Sequence, residues 1–426
     1  MTTMPSSQRS AWPVWLCWLA MVLDGFDLVV LGTVIPTLIK TGELGFDAVG
    51  ATFAATISLV GVGLGALFIA PLSDTFGRRK LLIACVAGFS AFTIAVAFAP
   101  NVAVFSALRL LAGLGLGACL PAALAYMNDY APAGSAGKST TRTMTGYHVG
   151  AVATALLAIL IVPNWRLMFI IGGVAGLVLL PLLWAKLPES LPGTTSLPPA
   201  AQPKLETSAG GASGVGPSAK TLEAESKTGF KDLLQRPYPL IAAGIGIASF
   251  MGLLLVYGLN TWLPQLMAAA GYPVSTGLTL LLVLNLGAVG GLFLAGFLAD
   301  KHGTKRIVLL WFGLSAVLLA ILSVKIPNEL LLNAAVFVTG IFVFSSQVLV
   351  YAWVSQLFPA RLRGTALGFA AGVGRLGAIV GPAVTGTLVA ANIAYPAGFY
   401  VFAAAGVLAV VALCFVPLKV STGEAA

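Results

Sequence analysis

The chain has 426 residues, of which 58% are hydrophobic and only 9% charged, against roughly 25% charge in a water-soluble domain, so water is not its main solvent. The formal net charge of +9 does not point to nucleic acid, because the Lys and Arg residues punctuate loops between apolar stretches and do not gather on one amphipathic face. Cys17, Cys85, Cys119 and Cys414 lie far apart in apolar segments with no Cys-x-x-Cys or Cys/His spacing, which argues against a metal site or a disulfide framework.

The apolar stretches are about 20 to 28 residues long, enough to cross a ~30 Å hydrocarbon core as helices, the form that satisfies its own backbone in lipid. The first predicted span, 12–39, lacks a small-residue cleavage pattern and is expected to stay as a helix. It carries Asp24 and Asp27, the only acidic residues well inside a span. They lie about ten residues past its start, so ~15 Å deep at 1.5 Å per residue. Their i, i+3 spacing puts both on one face. Two carboxylates sharing a poorly hydrated cavity cannot both ionise cheaply, which suits them to bind and release a proton. A charge at that depth costs roughly 2.5–3.5 kcal/mol on insertion scales and usually marks an ion path. The structural alternative is a cap on a kink at Gly25, or pairing with an arginine.

The second span, 47–72, runs into a loop containing Gly65, Asp74, Gly77, Arg78, Arg79 and Lys80, where the third, 80–99, begins. The fourth, 102–128, holds Arg109; the fifth, 143–163, holds Tyr147 and His148, the only histidine in a span; the sixth is 166–185. The stretch 187–236 is rich in Pro, Gly, Ser, Ala and Thr with scattered charge, and is expected to be a linker that does not fold by itself. It divides the chain into an N-terminal bundle, 1–186, and a C-terminal bundle, 237–426.

The seventh span, 238–268, brings Tyr257, Asn260 and Trp262. The eighth, 274–299, ends in a loop with Gly291, Asp300, His302, Gly303, Lys305 and Arg306, where Gly, Asp and Gly recur at the offsets of Gly65, Asp74 and Gly77. The halves are therefore read as a duplication, with a site at their interface. The ninth and tenth spans are 305–324 and 329–356, the latter with Gln347 and Tyr351; the eleventh, 364–391, holds Arg375, and the twelfth is 395–417. One set of loops carries Arg9, Arg78, Arg79, Lys80, Lys138, Arg142, Lys301, Lys305, Arg306, Arg361, Arg363 and Lys419, the other only Lys40, Arg166 and Lys325. Both termini are expected to be cytoplasmic.

Gly65-x8-Asp74-x2-Gly77-Arg78-Arg79-Lys80, with its second copy, resembles the signature of the major facilitator superfamily between helices 2 and 3. Four stretches resemble its aromatic acid:proton symporter branch: Asp24-Gly25-Phe26-Asp27; Arg109-Leu-Leu-Ala-Gly-Leu-Gly-Leu-Gly; Tyr257-Gly-Leu-Asn260-Thr-Trp262-Leu-Pro264; and Gly374-Arg375-Leu-Gly-Ala-Ile-Val-Gly-Pro382. The chain departs from that branch at Leu120-Pro121-Ala122, where Met-Pro-Asn is usual, and at Asn128-Asp129-Tyr130-Ala131-Pro132, where Ser-Glu-Tyr-Ala-Pro is usual. The fifth span lacks the Gly-x-x-x-Gly-Pro pattern of drug:proton antiporters in the superfamily, which counts against efflux.

The resemblance implies an all-α fold of twelve transmembrane helices in two pseudo-symmetric six-helix bundles. It also implies import of a hydroxybenzoate- or benzoate-like acid with protons, in a bacterial inner membrane, by a monomer without cofactor. Gly65, Asp74, Gly77, Arg78, Arg79, Asp300, His302, Gly303 and Arg306 are expected to form a cytoplasmic gate. Arg109 and Arg375, the only basic residues deep in spans, suit a carboxylate clamped by two parallel hydrogen bonds; for Arg109 the competing reading is internal neutralisation of Asp24 or Asp27. Tyr147, His148, Tyr257, Asn260, Trp262, Gln347 and Tyr351 could line a flat pocket with a few polar groups. A non-aromatic acid such as a muconate, efflux, and a membrane sensor that binds without transporting are the alternatives. No phosphate-cradling loop, metal set or nucleophile elbow occurs, which disfavours ATP-driven transport and catalysis.

Overall fold

The structure, a computed structural model, describes residues 12–130, 136–188, 233, 238–358 and 360–417. Most of 187–236, expected to be a linker, lies outside the described residues, as do the side chains of Asp74, Asn128 and Asp129.

The described residues form a helical protein. In the N-terminal half α1 is Trp12–Thr41, α2 Ala48–Leu64, α3 Arg78–Val96, α4 Val102–Tyr130, α5 Ala136–Ile161 and α6 Trp165–Lys186. In the C-terminal half α7 is Pro239–Ala269, α8 Val274–His302, α9 Thr304–Leu322, α10 Glu329–Leu357, α11 Ala360–Ala390 and α12 Ala394–Cys414. Each predicted span corresponds to one helix. Among the described residues eleven are long and apolar enough to cross a membrane, and the described apolar part of α5 is Thr145–Ile161. Large apolar side chains such as Phe68, Leu160, Phe293 and Leu330 point outward, as a lipid-facing surface requires.

The two halves repeat the same packing. α1 packs on α5, α2 on α4 and α3 on α6; correspondingly α7 packs on α11, α8 on α10 and α9 on α12. Small residues permit these approaches. A Cβ on Gly65 would collide with the carbonyl of Leu114 in α4, and one on Gly291 with the carbonyl of Ile341 in α10. The following turns also match: Gly77 has φ 92° and Gly303 φ 88°, a backbone region open to glycine and strained for other residues. The repeats differ between these glycines. α2 loosens into a π turn over Gly65–Ile69 and a 3-10 turn over Ala70–Leu72, where Pro71 cannot donate to the helical ladder, whereas α8 stays α-helical to His302.

The bundles meet along α2 with α11, α5 with α8 and α1 with α7. The tightest contacts lie toward the face opposite the termini. There a Cβ on Gly32 of α1 would strike the Asn260 carbonyl of α7, and one on Gly386 near the end of α11 would strike Thr52 in the first turns of α2. The bundles are therefore clamped together on that side.

Candidate functional site

α1 supplies both membrane-embedded carboxylates, and the structure gives them different surroundings. Asp27 is held entirely within the N-terminal bundle. Arg109 of α4 donates from Nη1 to Asp27 Oδ2 at 2.8 Å and from Nη2 to the Asp27 carbonyl at 3.0 Å. The Thr93 hydroxyl of α3 donates to Asp27 Oδ1 at 2.7 Å. The pair is sealed, with side chains 1% and 3% exposed, and the Arg109 guanidinium lies 5.9 Å from the Phe169 ring centre. Three helices are thereby tied to one carboxylate, and Arg109 faces Asp27, not the space between the bundles.

Asp24, one turn earlier, is equally buried, yet its Oδ1 has no hydrogen-bond partner. It lies within electrostatic reach of Arg375 as well as of Asp27. Arg375 sits on α11 of the other bundle, so this attraction crosses the interface. Its Nη1 donates to the Tyr257 hydroxyl of α7 at 3.1 Å, and Tyr351 of α10 is a second neighbour. Arg375, Tyr257, Tyr351 and Tyr147 all keep some accessible surface at the middle of the interface.

Gly25 places the fifth helix at this level. Its Cα faces the backbone of Tyr147, whose carbonyl a Cβ would strike, so α1 and α5 touch backbone to backbone beside Asp24. The Tyr147 ring then reaches across to the Asn260 side chain of α7. His148 is buried, edge-on to Tyr147 at 5.2 Å and to Phe344 of α10 at 5.8 Å; its Nδ1 is unpartnered. Gln347 is buried beside Tyr351, over Gly252.

Of the side chains expected to bind substrate, seven converge on the interface: Arg375, Tyr257, Tyr351, Gln347, Asn260, Tyr147 and His148. Two do not. Arg109 is engaged by Asp27, and Trp262 is fully buried, donating from Nε1 to the Pro382 carbonyl at 2.9 Å, where it fastens α7 to α11. Thr93 and Asn285 were not foreseen. Asn285 of α8 donates to Asn260 Oδ1 at 3.1 Å. Both are polar groups inside an apolar span, a signal that would have found the amide but says little for a threonine, which can bond its own helix.

The residues expected to form a gate lie at the face that carries the start of α1 and the end of α12. Arg79 donates to the Trp184 carbonyl at 2.6 Å and covers its ring at 5.4 Å, which ties α3 to α6 within one bundle. In the second copy Lys305 donates to the Val416 carbonyl and lies 5.8 Å from the Trp353 ring centre, while Asp300, His302, Gly303 and Arg306 are exposed.

A duplicated helical bundle clamped at one face, with an acidic and a basic side chain opposed between its halves, has the build of a membrane transporter. The Major Facilitator Superfamily model matches residues 17–294 and 279–425, and the chain belongs to that family. A gentisate transporter of Corynebacterium glutamicum is 35% identical over 97% of this chain and 89% of its own. A benzoate transport protein of Acinetobacter baylyi is 30% identical, covering 93% and 86%. A 4-hydroxybenzoate transporter of Pseudomonas putida is 30% identical, covering 86% and 84%. Among solved structures, a D-xylose-proton symporter superposes with TM-score 0.74 at 19% identity, over 95% of this chain and 97% of that one. The inward open Escherichia coli xylose transporter gives 0.72 at 17%, over 96% and 97%. These structures establish the fold.

Proposed function

We propose that the chain is a proton-coupled symporter that imports an aromatic carboxylate of the hydroxybenzoate or benzoate class, as a monomer in a bacterial inner membrane with both termini cytoplasmic. The observation that carries this is the opposition of Asp24 and Arg375 across the bundle interface, the carboxylate lacking a full hydrogen-bond complement and the guanidinium bonded only to a tyrosine among the described residues. The names of the relatives support the aromatic acid as cargo.

The coupling follows from charge balance in a poorly hydrated space. With the site empty, ionised Asp24 and Arg375 compensate each other. With both ligands bound, Asp24 is neutral and the substrate carboxylate compensates Arg375. Substrate alone leaves one surplus negative charge, and a proton alone leaves one surplus positive charge. Either surplus must be desolvated when the bundles close over it, a cost of several kcal/mol per ion. Only the empty and fully loaded forms close readily, so one proton accompanies each substrate, and the ligands shift the conformational equilibrium because they stabilise its states unequally.

Asp27 cannot serve in this way while Arg109 and Thr93 occupy it; its role is to hold α1, α3 and α4 in register. With the termini cytoplasmic, the clamped face is periplasmic and this conformation faces inward. The residues around Gly77 and Gly303 then form the cytoplasmic gate. Uptake of radiolabelled 4-hydroxybenzoate and benzoate into proteoliposomes with an acidic exterior tests the proposal. Accumulation of either that an uncoupler abolishes supports it; transport insensitive to the uncoupler, or no transport of either acid, contradicts it.

A further inference from the structure

A pair of amides in the C-terminal bundle dictates where one hydroxyl of the N-terminal bundle sends its proton. The side-chain nitrogen of Asn285 in α8 lies 3.0 Å from the Leu281 carbonyl of its own helix and 3.1 Å from the Asn260 side chain of α7. A carbonyl only accepts, so the Asn285 atom there is the NH2, and the Asn260 atom it meets is the oxygen. The Asn260 NH2 is thereby turned away from Asn285. Asn260 is 2% exposed, and among the described residues its amide faces the Tyr147 hydroxyl of α5, across the bundle interface.

An NH2 only donates, so the Tyr147 oxygen accepts and its own proton takes the other in-plane position. Gly25 touches Tyr147 backbone to backbone, which brings this residue beside Asp24. The other neighbours of Tyr147 are Tyr257, Asp24 and Arg375. The guanidinium has no acceptor and already donates to the Tyr257 hydroxyl, while Asp24 Oδ1 is buried without a partner. An anionic oxygen is the acceptor that the Tyr147 proton suits best. With the site empty, that oxygen belongs to ionised Asp24. Once Asp24 is protonated, it belongs to the carboxylate brought to Arg375.

We infer that Tyr147 is a second anchor for the substrate carboxylate, donating its hydroxyl proton to the anion that Arg375 pairs with, and that Asn260 and Asn285 aim that proton. This rests on the aromatic-acid reading of the site and names a further residue that touches the cargo. Tyr147 belongs to one bundle and Arg375 to the other, so a carboxylate held by both joins the halves across their interface. A proton alone leaves the Tyr147 donor without an anion, which opposes closure in the same sense as the uncompensated charge on Arg375.

The test is calorimetric titration of the purified full-length protein in detergent with benzoate, 4-hydroxybenzoate and 2,5-dihydroxybenzoate. Tyr147→Phe keeps the ring and loses the hydroxyl, and is expected to weaken each acid that binds by ~10-fold or more, as for a hydrogen bond to a charged group. A tyrosine fluorinated beside its hydroxyl, placed at position 147, is a more acidic donor of nearly the same shape and is expected to bind these acids more tightly than the wild type. A ring that only packs gives no such gain. Asn285→Leu frees the Asn260 amide to turn its oxygen toward the hydroxyl, and is expected to weaken binding in the wild-type background but not in Tyr147→Phe. Tyr147→Phe affinities equal to those of the wild type overturn the anchor, as does a fluorinated protein that binds no more tightly. An Asn285→Leu effect of equal size in both backgrounds overturns the aiming role. Should Tyr147→Phe not remain monodisperse, the fluorinated protein decides alone. A wild type that binds none of these acids overturns the aromatic-acid reading and this inference with it, whereas a wild type that binds, with no change in either Tyr147 protein, overturns this inference alone.

Discussion

Replacing Asp27 tests whether the more enclosed of the two carboxylates is structural. Asp27→Ala leaves the Arg109 guanidinium buried without its counter-charge and strands the Thr93 hydroxyl. Removing one partner of a buried pair costs ~3–5 kcal/mol, and the 1% exposure of Arg109 gives water little chance to compensate. At roughly 2–4 °C per kcal/mol for an element of bundle size, the melting midpoint in detergent should fall by roughly 6–20 °C. Asp27→Asn keeps the shape and an acceptor for Thr93, and loses less, roughly the 1.5–3 kcal/mol of a charge-assisted hydrogen bond. The double variant Asp27→Leu with Arg109→Met removes both charges and should recover most of the loss, since apolar replacement of a whole buried pair is often neutral. The assay is thermal unfolding of the wild type, Asp27→Leu, Arg109→Met and their double variant as a double-mutant cycle, with Asp27→Ala and Asp27→Asn measured alongside. An Asp27→Asn protein as stable as the wild type that has lost only proton-driven accumulation would refute the division of roles between Asp24 and Asp27.

Further outcomes are expected at five substitutions. Asp24→Asn should abolish accumulation driven by a pH gradient while leaving substrate exchange between loaded vesicles measurable, because the neutral side chain mimics the protonated state permanently. Tyr257→Phe removes the one described hydrogen bond to Arg375 and should weaken apparent substrate affinity ~2–10-fold, the range of a net 0.5–1.5 kcal/mol; Arg375→Lys, which loses the planar fork, should cost more. Gly32→Val places a side chain against the Asn260 carbonyl and should prevent the clamp, seen as increased labelling of cysteines introduced on the face opposite the termini. Gly77→Ala forces a Cβ onto φ 92° and should destabilise by about 1–2 kcal/mol, measured by the same unfolding assay.

The fold was largely legible because lipid imposes it: span lengths and the duplicated Gly, Asp and Gly spacing each have one physical reading. Much of the site was legible as chemistry, since an ionisable group at mid-span is costly enough to stand out, as Asp24, Asp27, Arg109 and Arg375 did. Their partners were not legible. The i, i+3 spacing of Asp24 and Asp27 put both on one face but could not show that α4 reaches Asp27 while α11 lies nearer Asp24. That difference depends on the crossing of α1 with α4 and on where the bundles meet. Trp262 is expected to line the pocket with Tyr257 and Asn260, but its placement two residues on from Asn260 turns it away, into the contact with α11. Thr93 left no trace because a hydroxyl in a transmembrane helix is ordinary.

Proton flux in lightly buffered proteoliposomes addresses the central claim most directly. With no imposed gradient, adding a hydroxybenzoate outside should make the exterior alkaline at one proton per substrate taken up. Asp24→Asn, whose empty form keeps the Arg375 charge uncompensated and does not return, should show neither net uptake nor a pH change. Substrate entry without proton movement in the wild type, or undiminished proton movement in Asp24→Asn, would contradict the account.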